Sequence, residues 1–317
     1  MLRTSLCELL DIEYPIIQAG MGSATSSELA AAVSNAGALG SLGTLFRPPG
    51  EFQRELEALR SLTNRSFALN HVIPSLQEDT FEAALAARPK VLSFALAEPS
   101  EYVKRAHDIG ALAMHQVTNV GQAEEAAECG VDIIIAQGSE AGGYSGNVAS
   151  LPLIPQVVDA VAPLPVVAAG GIFDGRGIAA ALMLGAVGVN VGTRFLASNE
   201  APFHEWKEPI KGAASEDTVQ VEFLNDILPV PGTVGYGTVL RSIRTPLIDA
   251  WQAKREEARA APNEVLKQLM GAGRANLPVS GQSAGGIQDI LPAGEIIKRL
   301  ALEAEHALQS AKYLIQD

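Results

Sequence analysis

Residues 164–195 constrain the fold more than any other stretch, because one strand-then-turn pattern occurs there twice. The stretch reads LPVVAAGGIFDGRGIAAALMLGAVGVNVGTRF. Its two apolar runs, residues 166–169 and 186–191, are short and bounded by proline or glycine, as is typical of buried parallel strands. Between them, apolar positions at helical spacing predict a helix over residues 175–184, with Asp174 as its N-cap.

Glycine follows both predicted strands. Gly170 and Gly171 come after the first strand, and Gly192 comes after the second, directly before Thr193 and Arg194. Glycine leaves backbone N–H groups uncrowded, so that a phosphate can approach them closely near the positive end of a helix. The pattern therefore predicts a phosphate-binding site, although the same glycines would also suit the tight turns that any α/β protein needs.

The order of the predicted elements favours the phosphate-binding interpretation. Strands and helices alternate without reversal, which indicates a parallel sheet, and eight such repeats favour a closed (β/α)₈ TIM barrel over an open α/β sheet. TIM barrels place a phosphate site at the loops after strands seven and eight, which are the two strands described above. The eight predicted strands cover residues 14–18, 38–42, 66–69, 91–95, 111–114, 131–136, 166–169 and 186–191.

After residue 195 the alternation ends, and a small α-rich subdomain is expected beside the barrel. Residues 213–244 suit irregular structure or a short strand pair, and residues 246–270 are helical in pattern with a break at Pro262. The predicted segments are a barrel over residues 1–212, an appended lid-like subdomain over residues 213–280, and a cofactor-covering loop with a C-terminal helix that returns to the barrel over residues 281–317.

Composition limits the possible partners and the setting of the chain. A net charge of −13 argues against nucleic acid and against anionic membrane surfaces. Cys7 and Cys129 are the only cysteines in 317 residues, which excludes a disulfide framework and metal-ligand spacing and favours a reduced, cytoplasmic setting. Acidic residues interrupt the apolar N-terminal stretch, so no export signal is expected.

Five short motifs follow predicted strands one, six, seven and eight or lie near the C-terminus. In this order they read QAGMG, GSEAGG, AAGGI, NVGTRF and SGQSAGGI. As a set covering nearly the whole chain, they resemble the nitronate monooxygenase family, formerly called 2-nitropropane dioxygenase, which includes related FMN-dependent enoyl-acyl carrier protein reductases. The resemblance implies a TIM barrel that holds non-covalent FMN, with the phosphate at Ala169, Gly170, Gly171, Gly192 and Thr193.

The resemblance also implies contacts with the flavin ring. Small residues with exposed backbone would let the ring approach, and side-chain amides would bond its edge atoms. For Asn70 and Gln116, ordinary solvation at a loop is the alternative. No GxGxxG motif is followed by an aspartate about 20 residues later, which favours FMN over FAD or NAD alone. The remaining cofactor-binding candidates are Ala19, Gly20, Met21, Gly22, Asn70, Gln116, Gln137, Gly142, Gly143 and Gln282, of which Gln282 would close over the ring.

Two positions depart from the pattern of the family. Tyr144 stands where many members have the histidine credited with proton abstraction, and Gln116 stands where many have lysine. A tyrosine with an ordinary pKa near 10 is a poor base at neutral pH but a fair hydrogen-bond donor, so Tyr144 is the catalytic candidate in a changed role. His71 and His115 could replace the missing base, although both residues would also suit simple packing at a strand end.

Three functions are compatible with these residues. The first is an FMN-dependent oxidoreductase that oxidises alkyl nitronates with O₂. The second is an NAD(P)H-dependent reductase of an enoyl thioester or a quinone, with Tyr144 as the proton donor. The third is a non-catalytic flavin-binding protein. The first is favoured by the family resemblance, with a small-molecule substrate and a homodimer as the possible assembly.

Overall fold

The computed structural model, which describes residues 2–228, 237–271 and 274–314, contains an eight-stranded parallel sheet and a smaller antiparallel sheet. The alternation of strands and helices predicted from the sequence is therefore confirmed over the first two thirds of the chain. The strands are β1 (Ile16–Gln18), β2 (Gly40–Gly43), β3 (Phe67–Val72), β4 (Val91–Ala95), β5 (Leu112–Val117), β6 (Ile133–Gln137), β7 (Gly143–Ser145), β8 (Val166–Ala169), β9 (Gly188–Val191), β10 (Thr218–Gln220) and β11 (Val239–Ile243).

The parallel sheet closes on itself as a TIM barrel. Its strand order is β1-β9-β8-β6-β5-β4-β3-β2, and each neighbouring pair runs parallel. The two ends of this order meet where Leu39, just before β2, forms a parallel bridge with Ile17 of β1. β8 and β9 are the seventh and eighth barrel strands, as the sequence predicts, because β7 belongs to the smaller sheet.

Helices surround the barrel and form most of the appended segment. None of the helices within the described ranges is both long enough and apolar enough to cross a bilayer. A helix begins at Pro262, as predicted, and a further break precedes Arg255. The helices are α1 (Ser5–Leu10), α2 (Ser27–Asn35), α3 (Pro49–Leu62), α4 (Glu78–Ala87), α5 (Ser100–Asp108), α6 (Val120–Glu128), α7 (Ser150–Val161), α8 (Gly175–Met183), α9 (Thr193–Leu196), α10 (His204–Gly212), α11 (Glu222–Ile227), α12 (Pro246–Ala253), α13 (Arg255–Ala260), α14 (Pro262–Met270) and α15 (Ala293–Ala311).

The barrel interior is a packed core that closes at the amino-terminal ends of the strands. Side chains that alternate inward along the strands, such as Met114 and Val167, pack with Leu6 and Leu10 of α1. A Cβ on Gly188, at the start of β9, would lie 2.4 Å from the Leu6 side chain, so α1 is seated directly on that end. The opposite, carboxyl-terminal end of the barrel is therefore the end that can hold a ligand.

The smaller sheet joins the appended segment to a barrel loop. β10 pairs antiparallel with β11, which confirms the short strand pair predicted within residues 213–244; residues 229–236 of that range lie outside the described residues. β11 also pairs antiparallel with β7, which lies in the loop after β6. Tyr144 of β7 lies opposite Leu240 of β11 in this register. The loop after β6 thus contributes one strand, which contains Tyr144, to the smaller sheet.

Candidate functional site

A cavity of about 230 Å³ lies between the carboxyl ends of the barrel strands and the appended segment. The barrel side combines glycines and side-chain amides with apolar side chains such as Met21 and Val72, whereas the opposite side is almost entirely apolar. The residues of the apolar side include Leu224, Leu228, Leu240, Leu266, Leu269, Met270, Leu277 and Val279. One side of the cavity therefore suits a polar cofactor, and the other suits an apolar substrate body.

Nearly all of the predicted site residues line this cavity. Gln282 does not line it: the Gln282 backbone N–H donates to the carbonyl of Glu140 at 2.8 Å, and its neighbour Ser283 lines the cavity instead. The predicted residues that do line it are Ala19, Gly20, Met21, Gly22, Asn70, Gln116, Gln137, Gly142, Gly143, Tyr144, Ala169, Gly170, Gly171, Gly192 and Thr193. Their individual contacts with a cofactor stay predictions.

Asn70 and Gln116 lie within strands and not in loops after them. β3 and β5 each extend about three residues beyond the predicted ends, so both amides occupy strand positions whose side chains face the cavity. Asn70 donates from Nδ2 to Ser93 Oγ at 3.3 Å. A Cβ on Gly20 would lie 2.2 Å from the Asn70 Cβ, so the backbone after β1 packs directly on the Asn70 side chain. Solvation at a loop therefore does not explain these two residues.

Glycine suits the turns after β8 and after β9 for different physical reasons. Gly170 and Gly171 have φ values of 101° and 73°, which L side chains rarely adopt, so the turn itself requires glycine there. Gly192 has an ordinary φ of −106°, and a Cβ there would contact Met21 Sδ at 3.4 Å in the cavity wall. Gly192 is therefore the glycine whose missing side chain leaves space in the cavity.

The loop after β6 is built around Glu140. The Glu140 carboxylate accepts hydrogen bonds from the Ser150 backbone N–H at 3.0 Å and from Ser150 Oγ at 3.0 Å, at the beginning of α7. A Cβ on Gly138 would lie 2.0 Å from Ser150 Oγ, so glycine is needed beside this contact. Glu140 received no role from the sequence, and the structure assigns it to holding the loop that leads to Tyr144.

A second contact holds the same loop from the C-terminal side. A Cβ on Gly281 would lie 2.5 Å from the Glu140 carbonyl oxygen, and a Cβ on Gly142 would lie 2.6 Å from the Gly281 nitrogen. The Gly281 N–H also donates to Thr193 Oγ1 at 2.9 Å. The two glycine-rich motifs therefore meet backbone to backbone, and Thr193 connects them to the end of β9.

Two ionisable side chains, Tyr144 and Arg274, line the cavity among the residues that the structure describes. Burial raises the pKa of Tyr144 to about 12, so its hydroxyl is protonated at neutral pH. The Arg274 guanidinium donates from Nη1 to Ser23 Oγ at 2.7 Å. Arg274 was not predicted as a site residue, because the sequence offers no motif around it. Asn190, an inward-facing residue of β9, was not predicted either, although it begins the NVGTRF motif.

Sequence comparison places this geometry within a known group. The sequence matches the profile of the family described as nitronate monooxygenase over residues 3–86 and 77–303. The chain belongs to the nitronate monooxygenase family. A "Probable nitronate monooxygenase" of Staphylococcus aureus is 34% identical, and the match covers 68% of this chain and 74% of that relative.

Other relatives of this nitronate monooxygenase family member carry different names. The Mycobacterium tuberculosis "(3aS,4S,5R,7aS)-5-hydroxy-7a-methyl-1-oxo-octahydro-1H-indene-4-carboxyl-CoA dehydrogenase" is 31% identical over 99% of both chains. The structure of FabK from Thermotoga maritima matches with a TM-score of 0.88 and 32% identity, over 99% of this chain and 100% of FabK. Nitroalkane oxidase from Streptomyces ansochromogenes matches with a TM-score of 0.81 and 27% identity, over 96% and 99% of the two chains. The family member is therefore a flavin-dependent oxidoreductase.

The two histidines considered as replacements for the family base do not line the cavity. His71 follows Asn70 in β3 and so faces the helix layer, where its ring packs against Phe81 with centroids 5.1 Å apart. Burial lowers the pKa of His71 to about 3 and that of His115 to about 4. Both imidazoles belong to the packed layer outside the barrel, and the packing alternative is the one that the structure supports.

A polar atom of the cavity wall fits a flavin. Gln137, the last residue of β6, is 6% exposed, and its Oε1 atom has no hydrogen-bond partner among the described residues. A buried amide oxygen without a partner is costly, and an N–H group of a bound ring would remove that cost. Together with the space left by Gly192, this oxygen indicates that a bound cofactor would complete the cavity wall.

Proposed function

We propose that this protein is an FMN-dependent oxidoreductase that acts on substrates from which no proton has to be removed, with alkyl nitronates as the first candidates. One observation carries the proposal: no described residue lining the cavity has a carboxylate, imidazole or amine side chain. Removal of a proton from carbon in a neutral nitroalkane needs such a base. A nitronate is already the deprotonated anion.

FMN is the cofactor that the wall of the cavity supports. Gly170, Gly171 and Gly192 would accommodate its phosphate, and Gln137 would accept a hydrogen bond from its ring. FMN would supply the two-electron redox chemistry and, once reduced, the reaction with O₂. Two free cysteines agree with the reduced, cytoplasmic setting that forms part of this proposal.

The residues of the chain have separate tasks in this proposal. The leucines of α11, β11 and α14 bury the alkyl part of the substrate and exclude water. The Tyr144 hydroxyl donates a hydrogen bond to an oxygen of the substrate and stabilises negative charge that develops there. It does not act as a base at neutral pH, because burial raises its pKa to about 12. Arg274 provides positive charge for an anion.

Anaerobic mixing tests this function. The FMN-loaded protein is mixed with preformed ethyl nitronate, with neutral nitroethane, and with NADH or NADPH, and the visible flavin absorbance is followed. We expect rapid loss of absorbance with the nitronate and at most slow loss with nitroethane. Loss of absorbance with NAD(P)H but not with the nitronate would contradict the proposal.

The second candidate is reduction of an enoyl thioester or a quinone by NAD(P)H. The long apolar side of the cavity and the protonated Tyr144 favour it, since reduction of a carbon–carbon double bond needs a proton donor. The relatives also include a protein named as a carboxyl-CoA dehydrogenase. Turnover of NAD(P)H with crotonyl-CoA or menadione, in the absence of activity on nitronates, would establish this candidate over the first.

A further inference from the structure

Arg274 is the one cationic side chain among the described residues that line the cavity. The cavity contains no described carboxylate to neutralise it, and no ion pair joins Arg274 to a described carboxylate; its side-chain hydrogen bond goes to the neutral hydroxyl of Ser23. Glu51 and Glu205 act on it at longer range, and Glu51 is already hydrogen-bonded to Arg47 at 3.1 Å. A partly buried guanidinium without a paired anion costs free energy, which an anionic ligand would offset.

The surrounding residues hold Arg274 in place. Its carbonyl oxygen accepts hydrogen bonds from Trp206 Nε1 and from the Leu277 backbone N–H, both at 3.0 Å. Its guanidinium carbon lies 5.6 Å from the centroid of the Phe46 ring and 5.3 Å from that of Phe203. The backbone at Arg274 has a φ of 65°, a conformation that non-glycine residues rarely keep unless their surroundings fix it. The Arg274 guanidinium therefore lies against two aromatic rings and the Ser23 hydroxyl, in the wall of the cavity.

Arg274 and its neighbours suit a ligand with two different parts, an anionic group and an apolar body. Met270 and Leu269 of α14 and Leu277 also line the cavity, and they provide apolar surface. A ligand that satisfies both features has an apolar body and one oxyanion. A planar guanidinium matches an anion with two oxygens on one atom, which is the shape of both a nitronate and a carboxylate.

We propose that Arg274 binds the oxyanion of the substrate and thereby selects apolar molecules that carry a nitronate or carboxylate group. This inference rests on the proposed function and names the substrate class of the same cavity. The phosphates of a thioester carrier such as coenzyme A are the other source of the same anionic chemistry.

Calorimetric titration of the flavin-loaded protein tests this without requiring turnover. Octanoate and octanamide share an apolar chain and differ in charge, and coenzyme A supplies phosphates. The variants are Arg274→Gln, which removes the charge, and Arg274→Lys, which keeps the charge but not the planar fork. The matched control is Arg244→Gln, because Arg244 lies in the same appended segment, is about half exposed and pairs with Asp249.

We expect Arg274→Gln to weaken octanoate binding roughly ten- to hundredfold, as loss of a hydrogen bond to a charged group does. Arg274→Lys should weaken it less, and octanamide binding and the Arg244→Gln variant should match wild type. Equal octanoate affinity in wild type and Arg274→Gln, no octanoate binding to wild type, or equal weakening of octanamide would overturn the inference. If Arg274→Gln weakened the binding of coenzyme A but not of octanoate, the assignment of Arg274 to the oxyanion of the substrate itself would be overturned.

Different results would contradict the anion site at Arg274 and the proposed function. If octanoate binding depends on Arg274 while nitronates are not turned over, the proposed function is wrong and the anion site remains. If nitronates are turned over while Arg274→Gln changes neither octanoate binding nor the KM for nitronate, the function remains and Arg274 has no part in recognition.

Discussion

Tyr144 lies opposite Leu240 in the antiparallel pairing of β7 with β11, so the catalytic candidate belongs to the same sheet as the apolar side of the cavity. The pairing joins the β7 backbone by hydrogen bonds to a segment distant in sequence. Its side chain packs beside the apolar cluster of the appended segment. This cluster removes water from around the hydroxyl and thereby raises its pKa to about 12.

Tyr144→Phe removes the hydroxyl and keeps the ring in the apolar cluster. We expect bound flavin to be retained while turnover falls roughly ten- to ten-thousand-fold, because the donor to the developing charge is lost. Flavin content and steady-state rates measure the two effects. Tyr313→Phe, at a position that is 75% exposed, is the control. A wild-type rate for Tyr144→Phe would show that the hydroxyl has no chemical part.

The pH dependence follows from the direction of the Tyr144 pKa shift. Because burial raises this pKa to about 12, the hydroxyl keeps its proton through the neutral and mildly alkaline range. Donation from Tyr144 should therefore stay constant up to alkaline pH and decline only as the pH approaches that value. The ratio of wild-type to Tyr144→Phe rates across pH measures it, since other titrations cancel in the ratio. A decline of that ratio near neutral pH would contradict this assignment.

Gly192→Val tests the space left at the end of β9. Its φ of −106° tolerates a side chain, and the added carbons would extend into the cavity beside Met21 and Ala19. We expect a folded protein with weaker flavin retention, measured by flavin release and by thermal unfolding of the apoprotein. Gly171→Val is a poorer test, because a φ of 73° adds backbone strain. Gly212→Val, where nothing lies within 4 Å, is the control.

Gly281→Ala tests the contact between the two glycine-rich loops. The new Cβ would lie 2.5 Å from the Glu140 carbonyl oxygen, so the loops must separate. We expect a loss of stability of about 1–3 kcal/mol, as in other overpacked sites, together with weaker flavin binding. Gly294→Ala is the matched control, since its Cβ would make an ordinary 3.5 Å contact with Ala36. Equal unfolding midpoints for the two variants would contradict this interpretation.

His71 should make the folded state sensitive to acid. Burial lowers its pKa to about 3, below the value near 6.5 expected in the unfolded chain. As the pH falls below about 6.5, the unfolded chain binds a proton at His71 that the folded chain does not. The free energy of unfolding therefore decreases as the pH falls toward the pKa of His71 in the folded state. His71→Leu should flatten this dependence in urea unfolding measured between about pH 7 and about pH 4.5. Its control is His204→Leu, at an exposed position; an unchanged slope for His71→Leu would contradict the prediction.

The sequence by itself determined the barrel and the end of the barrel at which the cavity lies. Apolar runs, glycine turns and helix caps such as Asp174, whose side chain accepts from the Gly177 N–H at 3.1 Å, act within a few neighbouring residues, so their pattern is visible in the chain. The glycines after β8 and β9 could be located in the same way. Strand ends were less well determined: β3 and β5 continue about three residues beyond their predicted ends, so Asn70 and Gln116, expected at the ends of these strands, lie inside them.

Only the tertiary structure decided how distant segments complete the site. Three features join segments far apart in sequence: the pairing of Tyr144 with Leu240, the backbone contact of Gly142 with Gly281, and the position of Arg274 in the cavity wall. No local pattern encodes such contacts, because they depend on how the appended segment packs on the barrel. The raised pKa of Tyr144 has the same origin, since the leucines that exclude water from it come from that segment.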